Sequence, residues 1–475
     1  METHRIKPFP VEKKDLVLVR PSKHTPSDIL LLSSIDNDPN LELICQSVYV
    51  YQSNITASNG DAHAVTAIPE FQKLPDPVYG IKEALSNVLV YYYPLAGMLK
   101  RHSDGRLRVN CSIGDGVPFL EATANCTLSS LNHLDGIDVP TAKQLVIDLS
   151  GKTGADKEGY YHPLLVQVTR FSCGGFTIGM GLSHSICDGF GAAQFFRAMA
   201  ELASGQSEPT IKPVWERDRL VGARPNEFLK PPAESLATSP YVPTTDISHA
   251  CFNVSSQSIK RLKQNLMEEE RKAEIANHEN YTTLEVLGAY VWRSRLRALE
   301  LNLDGQTLFT MTVSMRPHIN PPLPDGYYGN AFSGIHAVIL GKDLNEEPLI
   351  KAVKLIRNGK RLGLTSDAMR VSLGIREWVI GQNLTFEATG ASTCVTDWRQ
   401  LGLIDQVDFG WKASVNMIPL PWDMFGSIDL CVFMPPCSLD LSMKGGVRVF
   451  VSLPRAAMPK FKEEMDALNL NHGAV

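Results

Sequence analysis

Six consecutive residues, His184-Ser185-Ile186-Cys187-Asp188-Gly189, hold the side chains best suited to chemistry. A neutral imidazole, with an ordinary pKa of about 6.5, takes up a proton readily at physiological pH. The run before it, Gly175 to Ser183, alternates Gly with larger residues and reads as a strand packed closely on one face. Beyond it, Ala192, Phe195, Phe196, Met199 and Leu202 recur at three- and four-residue spacing, which predicts a helix from Gly191 closed by Gly205. The six residues therefore form a strand-to-helix turn, where an interval of four does not set His184 beside Asp188 as it would on a helix. Two readings stand open. His184 is a general base in a cleft, with Asp188 turned inward to pin the turn through a cation, or it is a satisfied core histidine. A metal site has little support, because no second His or Cys pair lies nearby at ligand spacing.

The elements that must position this turn alternate in type. Ile44 to Tyr51 and Leu107 to Cys111 read as strands, and Ile81 to Tyr92 reads as an amphipathic helix ended by Pro94. From about 206 to 247 the texture changes to Pro-rich, charged sequence, which marks a crossover between units at 1–205 and 248–475. The second unit begins with a strand at Ala250 to Val254, then a polar helix from about Ser256 to Ile275. A second helix is capped by Thr282 or Thr283 with Glu285 close behind, and a strand follows at Leu308 to Ser314. Two such halves would meet at an interface, a common place for a small-molecule site.

At 475 residues the chain is long enough for about two domains. Its net charge of −5, from 46 basic and 51 acidic residues, offers no electrostatic footprint for nucleic acid or an anionic membrane. No transmembrane span and no secretory h-region is seen, so the expected compartment is the cytoplasm. Nine Cys residues without paired short spacings fit reduced thiols, and Asn-x-Ser/Thr matches, among them Asn54, Asn125, Asn253, Asn280 and Asn383, are read as chance.

Taken with Asp408-Phe409-Gly410-Trp411, the His-x-x-x-Asp-Gly turn resembles the plant BAHD family of acyl-CoA-dependent acyltransferases. Val90 to Gly97, His162 to Thr169, Pro321 to Asn330 and Thr396-Asp397-Trp398 extend the likeness over nearly the whole chain. Within the family it is most similar to the branch holding taxane acetyl- and benzoyltransferases and brassinosteroid-modifying acyltransferases.

The resemblance implies an α/β fold of two chloramphenicol-acetyltransferase-like domains, each a mixed sheet flanked by helices, with a channel at their interface. It implies transfer from acyl-CoA, a co-substrate rather than a bound cofactor, to a hydroxyl of a specialised-metabolite or steroid- or terpenoid-like acceptor by a monomer. Alternatives are N-acylation of an amine and a ligand-binding relative without turnover. His184 would be the general base for direct attack on the thioester. Gly181 to Ser185 misses the Gly-x-Ser-x-Gly elbow, which leaves an acyl-serine at Ser185 as a minor route. Trp398 and Thr396 would meet the oxyanion. Asp188 would pair with Arg316 and hold the turn, with Gly189 permitting the chain reversal. Asp408 is sometimes treated as catalytic in the family, but Asp-Phe-Gly-Trp reads better as a structural turn. Lys412 stands where the family usually has Gly, an expected local change on the CoA side. Ser258, Lys260 and Lys263 lie on the helix near which the family holds the phosphorylated end of CoA, although both lysines also fit a solvated helix face.

Overall fold

The computed structural model describes residues 9–52, 76–111, 116–136, 139–148, 151, 153–224, 236–272, 280–385, 388–404, 407–411, 414–420 and 430–470. In the first half, strands β1 (Val11–Lys13), β2 (Val17–Val19), β4 (Ile44–Tyr51), β7 (Val117–Ala124), β8 (Leu164–Phe171) and β9 (Phe176–Ser183) share one sheet. The short strands β3 (Ile29–Leu31), β5 (Met98–Arg101) and β6 (Leu107–Asn110) form a separate sheet of three. In the second half, β10 (Ile247–Val254), β11 (Gln306–Ser314), β12 (Phe332–Leu340), β13 (Ser392–Asp397), β15 (Leu430–Met434) and β16 (Val447–Pro454) form a second large sheet, ordered β10-β16-β15-β13-β11-β12. Both large sheets mix parallel and antiparallel pairs, with β7 parallel to β8 in one and β13 parallel to β11 and β15 in the other. Each is backed by helices and its own apolar cluster.

The halves are not separated at the crossover. Strand β14 (Asn416–Leu420) returns from the second half and pairs antiparallel with β4, in register from Asn416 opposite Val50 to Leu420 opposite Gln46. Leu403, Ile404, Val407, Phe409, Trp411 and Met417 enter the same apolar cluster as Tyr49, Leu85 and Phe196. A division into 1–205 and 248–475 therefore misassigns this segment, whose partners lie more than 200 residues earlier in the chain and leave no local signature. Nor is the crossover a passive linker over its described part. Arg217 and Leu220 are buried in a 3-10 turn, and Val214 donates its N–H to Gly326 O at 2.9 Å.

Helix α1 (Pro77–Val88) starts earlier than the spacing predicts, because Asp76 caps it by accepting from Val78 N at 2.9 Å and Pro77 takes the first turn. It also ends at Val88, and Pro94 sits in a separate 3-10 turn, Tyr93–Ala96, rather than stopping the helix. After a short α2 (Val139–Ala142), α3 (Gly189–Ala203) follows β9 directly. In the second half, α4 (Ser256–Lys272) precedes α5 (Thr283–Ala298). Thr282 and Glu285 satisfy one another's backbone N–H groups in a full capping box at the start of α5. Then come α6 (Gly341–Glu346), α7 (Leu349–Gly363), α8 (Ser366–Gln382) and α9 (Met458–Leu470). Among the described residues no helix is long and apolar enough to cross a membrane.

Candidate active site

β9 delivers His184 to the top of α3, and the turn between them is held at nearly every backbone position. The His184 N–H donates to Leu43 O at 2.9 Å. Its carbonyl accepts from Asn330 Nδ2 at 2.6 Å, and the Ile186 carbonyl accepts from Arg217 Nη2 at 2.9 Å. Ser185 is buried, with its hydroxyl donated to Leu41 O at 3.3 Å. The imidazole is half-buried and its ring centre lies 5.8 Å from that of Phe332. Burial pushes the His184 pKa below the usual histidine range, and Arg376 adds to that. The smaller opposing effects of its own carbonyl, Asp188 and Asn330 do not reverse the direction. The ring is therefore neutral at physiological pH, which is what a proton acceptor requires. Its Nδ1 is buried and meets no partner in hydrogen-bond geometry.

Asp188 acts at three places at once. It caps α3 by accepting from Gly191 N at 2.9 Å, takes Ala331 N at 3.0 Å, and receives both Arg316 Nη atoms at 2.9 Å. Burial alone would raise its pKa, but Arg316 and the two backbone donors together hold the carboxyl below its usual value. Arg316 also donates to Gly329 O at 2.8 Å, so the group that joins Asp188 to the second half is itself anchored there. Gly189 does not reverse the chain. It is the first helical residue, and a Cβ there would come within 2.7 Å of Leu401 Cδ1, the methyl end of a side chain that packs against this point.

That contact also locates Thr396 and Trp398. Both sit at the end of β13, where Trp398 N donates to Phe433 O at 2.8 Å. Leu401, three residues on, packs on the beginning of α3, so the end of β13 abuts the His184 turn from the second half. Thr396 is half-buried and its hydroxyl oxygen accepts from Thr312 Oγ1 at 3.2 Å, leaving its own hydrogen free to point elsewhere. Trp398 is also half-buried and packs against the first half's apolar cluster.

The other sequence candidates lie apart from this meeting point. Asp408 is exposed; its carboxylate accepts from Gly410 N at 2.8 Å, and its carbonyl accepts from Ser204 Oγ at 3.2 Å. Ser204 caps the C-terminal end of α3, and 15 helical residues span about 22 Å, so Asp408 is at the opposite end from Asp188. Gly410 takes φ +92°, and Phe409 and Trp411 are buried, with Phe409 against Tyr51 and Phe196 and Trp411 against Phe176. Asp408 thus closes a turn at the far end of α3 from His184, which speaks against the catalytic role sometimes given to it and fits the turn reading. Lys412 lies outside the described residues.

Ser258 is corrected as well: it is 2% exposed, its hydroxyl donates to Asn469 Oδ1 at 3.0 Å and accepts from Arg261, and it pins α4 to the end of α9. Lys260 is exposed. Lys263 is half-buried, and its pKa is lowered by burial, opposed by Glu285, with Arg399 adding to the lowering. Arg399 neighbours Trp398 in sequence, so Lys263 is the α4 cation that approaches the β13 side.

Asp36, Arg217, Asn330 and Thr312 escaped the sequence reading. Asn330 stood at the end of the Pro321 to Asn330 match with no role given to it, and Arg217 was hidden in a Pro-rich stretch read as linker. Among the described residues no group of three or more His, Cys, Asp or Glu is placed to hold a metal ion.

The profile of the Transferase family matches residues 9–468. A spermidine sinapoyl-CoA acyltransferase of Arabidopsis thaliana is 40% identical over 97% of this chain and 98% of its own length. A 3'-N-debenzoyl-2'-deoxytaxol N-benzoyltransferase of Taxus canadensis is 32% identical over 97% of this chain and 96% of its own. Among solved structures, the fold of vinorine synthase superposes with a TM-score of 0.72 at 22% identity, covering 97% of this chain and 98% of that one.

Proposed function

Because the chain belongs to the Transferase family, the BAHD acyl-CoA-dependent acyltransferases, we propose that it transfers an acyl group from a CoA thioester to a primary or secondary amine of a spermidine-like polyamine. The observation that carries the reading is the neutral His184 on a turn braced from both halves, at the place where the end of β13 meets α3. The amine acceptor is supported by likeness: the relative at 40% identity is named for spermidine, and the Taxus relative at 32% is named an N-benzoyltransferase. This departs from the hydroxyl acceptor expected from sequence.

In the reaction, an uncharged amine nitrogen attacks the thioester carbonyl while His184 takes its proton on Nε2. The tetrahedral oxyanion is met by the Trp398 indole N–H and the Thr396 hydroxyl, whose hydrogen is left available by the bond from Thr312. Collapse breaks the C–S bond, and His184 returns the proton to the departing sulfur, giving an amide and free CoA. Bonds and protons balance without an enzyme nucleophile, and Ser185 is committed to Leu41 O. Lys263, half-buried on α4, is the cation proposed to meet a CoA phosphate, since Arg399 beside it is held by the Asp397 carboxylate.

The test is thiol release from sinapoyl-CoA with spermidine, matched amines and an alcohol panel, with products identified by mass spectrometry. Spermidine-dependent release and an amide product are expected. Release with alcohols but not amines would overturn the amine acceptor, and CoA binding without acceptor-dependent release would favour the non-catalytic relative.

A further inference from the structure

The face of the second sheet that carries Thr396 extends over β11 and β12, and strand register sets its rows. Thr396 meets Thr312 at 3.2 Å, and Thr312 lies opposite Gly334. Cys394 pairs with Thr310, and Thr310 with His336. Ser314 lies opposite Phe332, whose ring centre is 5.8 Å from that of His184. Residues two apart on a strand share a face, so Phe332, Gly334 and His336 form one line along β12 that starts beside the base. At a rise of about 3.3 Å per residue, His336 stands about 13 Å beyond Phe332. On β15 the same face is sealed, with Leu430, Val432 and Met434 buried in the first half's apolar cluster. On β12 it is open at His336 and Val338.

His336 has the chemistry to accept from a cation at that open end. Its Nδ1 is 3.0 Å from Thr310 Oγ1, and among the described residues its Nε2 makes no hydrogen bond. The imidazole is exposed, yet surrounded closely enough that burial pushes its pKa below the usual histidine range. That combination belongs to a groove, and it keeps the ring neutral at physiological pH. With Nδ1–H donated to the Thr310 hydroxyl oxygen, the Nε2 lone pair is available to a donor. Gly334 supplies the space: a Cβ there would come within 3.1 Å of His336 Cε1 and 3.3 Å of Thr310 Cγ2. Arg376, 5.1 Å over the Phe332 ring, already has its charge matched by Asp38 at 2.6 Å.

We propose that His336 is a specificity-determining residue for the acceptor: its Nε2 takes a hydrogen bond from the far ammonium of a polyamine whose near, uncharged nitrogen is at His184. An extended spermidine, with nine single bonds of about 1.5 Å between its end nitrogens, spans about 11 Å, the length of this line less the reach of the hydrogen bond at its end. A three-carbon diamine falls well short of it. This rests on the amine acceptor proposed above.

The test compares transfer from sinapoyl-CoA to spermidine, 1,3-diaminopropane and butylamine. In His336→Ala the KM for spermidine should rise about 10-fold at unchanged kcat, as loss of a hydrogen bond to a charged group away from the reacting centre does, while both short amines keep their wild-type kcat/KM. His336→Gln, whose amide oxygen can accept in place of Nε2, should recover most of the spermidine KM. Calorimetric titration of spermidine into the protein without acyl-CoA should show the same weakening in His336→Ala. An unchanged spermidine KM, an equal loss for butylamine, or a His336→Gln protein no better than His336→Ala would each overturn the assignment. A changed preference between sinapoyl-CoA and acetyl-CoA at a fixed acceptor would also overturn it, by placing the acyl group in the groove. Should wild-type protein acylate no amine, the acceptor reading fails, and the binding titrations still decide whether His336 holds the ammonium; no spermidine binding by wild type would overturn that as well.

Discussion

The two ends of α3 carry two aspartates in similar company, each one residue from an aromatic or glycine turn, and they are built in opposite ways. At the N-terminal end, Asp188 has a side chain only 11% exposed and gathers donors from 128 and 143 residues away. At the C-terminal end, Asp408 is exposed and its carboxylate bonds the N–H of Gly410, two residues on. The first is a tertiary lock joining the halves beside a neutral imidazole. The second closes its own turn, while its neighbours Phe409 and Trp411 anchor the returning segment in the first half's core. An aspartate's residue type and sequence setting do not tell these jobs apart; the origin of its donors does.

The sharpest separation of the two ends comes from His184→Ala. Transfer should fall by about 10²- to 10⁴-fold at an unchanged melting temperature, since the side chain is half-buried and Nδ1 makes no bond to lose. Wild-type turnover in that variant would remove the base from the N-terminal end. The wild-type pH profile follows from the same group. Its pKa is pushed below 6.5, so kcat/KM expressed on the uncharged fraction of the amine should hold on descending to that pH and fall only below it, as the ring becomes protonated and stops accepting. A decline already complete at pH 7 would contradict the lowered value.

Asp188→Asn keeps a side chain that can cap α3 but leaves Arg316 an uncompensated, mostly buried charge. The expected loss is about 3–5 kcal/mol of stability, read from urea midpoints, with Arg316→Met restoring part of it in the double variant. Full stability with lost turnover would make Asp188 a chemical group instead of a lock. Asp188's folded pKa is depressed, so its contribution is present above the unfolded carboxylate value and is lost as pH falls through the folded one. Trp398→Phe, removing one donor to the oxyanion, should cost about 100-fold in kcat with little change in KM. A shift in KM alone would make Trp398 a wall of the site.

How far the sequence spoke depends on the range of the interaction. β9, the start of α5 and the periodic face of α3 follow from local spacing, and their ends shift by a few residues where a cap such as Asp76 or Asp188 competes with the apolar pattern. The Asp188–Arg316 pair was reachable because both residues lie in motif-bearing stretches. β14 on β4, Asp36 on Asn330 and Leu401 on Gly189 were not, since each joins positions more than 200 residues apart through packing that no local periodicity encodes. Ser258 failed for a different reason: a serine on a polar helix looks the same whether it faces solvent or, as here, the end of another helix.

The smallest expected effect tests the C-terminal end of α3. Asp408→Ala removes one exposed acceptor of a turn hydrogen bond and should cost about 1 kcal/mol of stability, with kcat unchanged per folded molecule. Asp408→Asn, whose amide oxygen can still take the Gly410 N–H, should lie closer to wild type than Asp408→Ala does. That ordering separates a turn acceptor from a charge, because an electrostatic role would make the two substitutions alike. A stable Asp408→Ala protein without turnover would place chemistry at both ends of α3 and undo the contrast with Asp188.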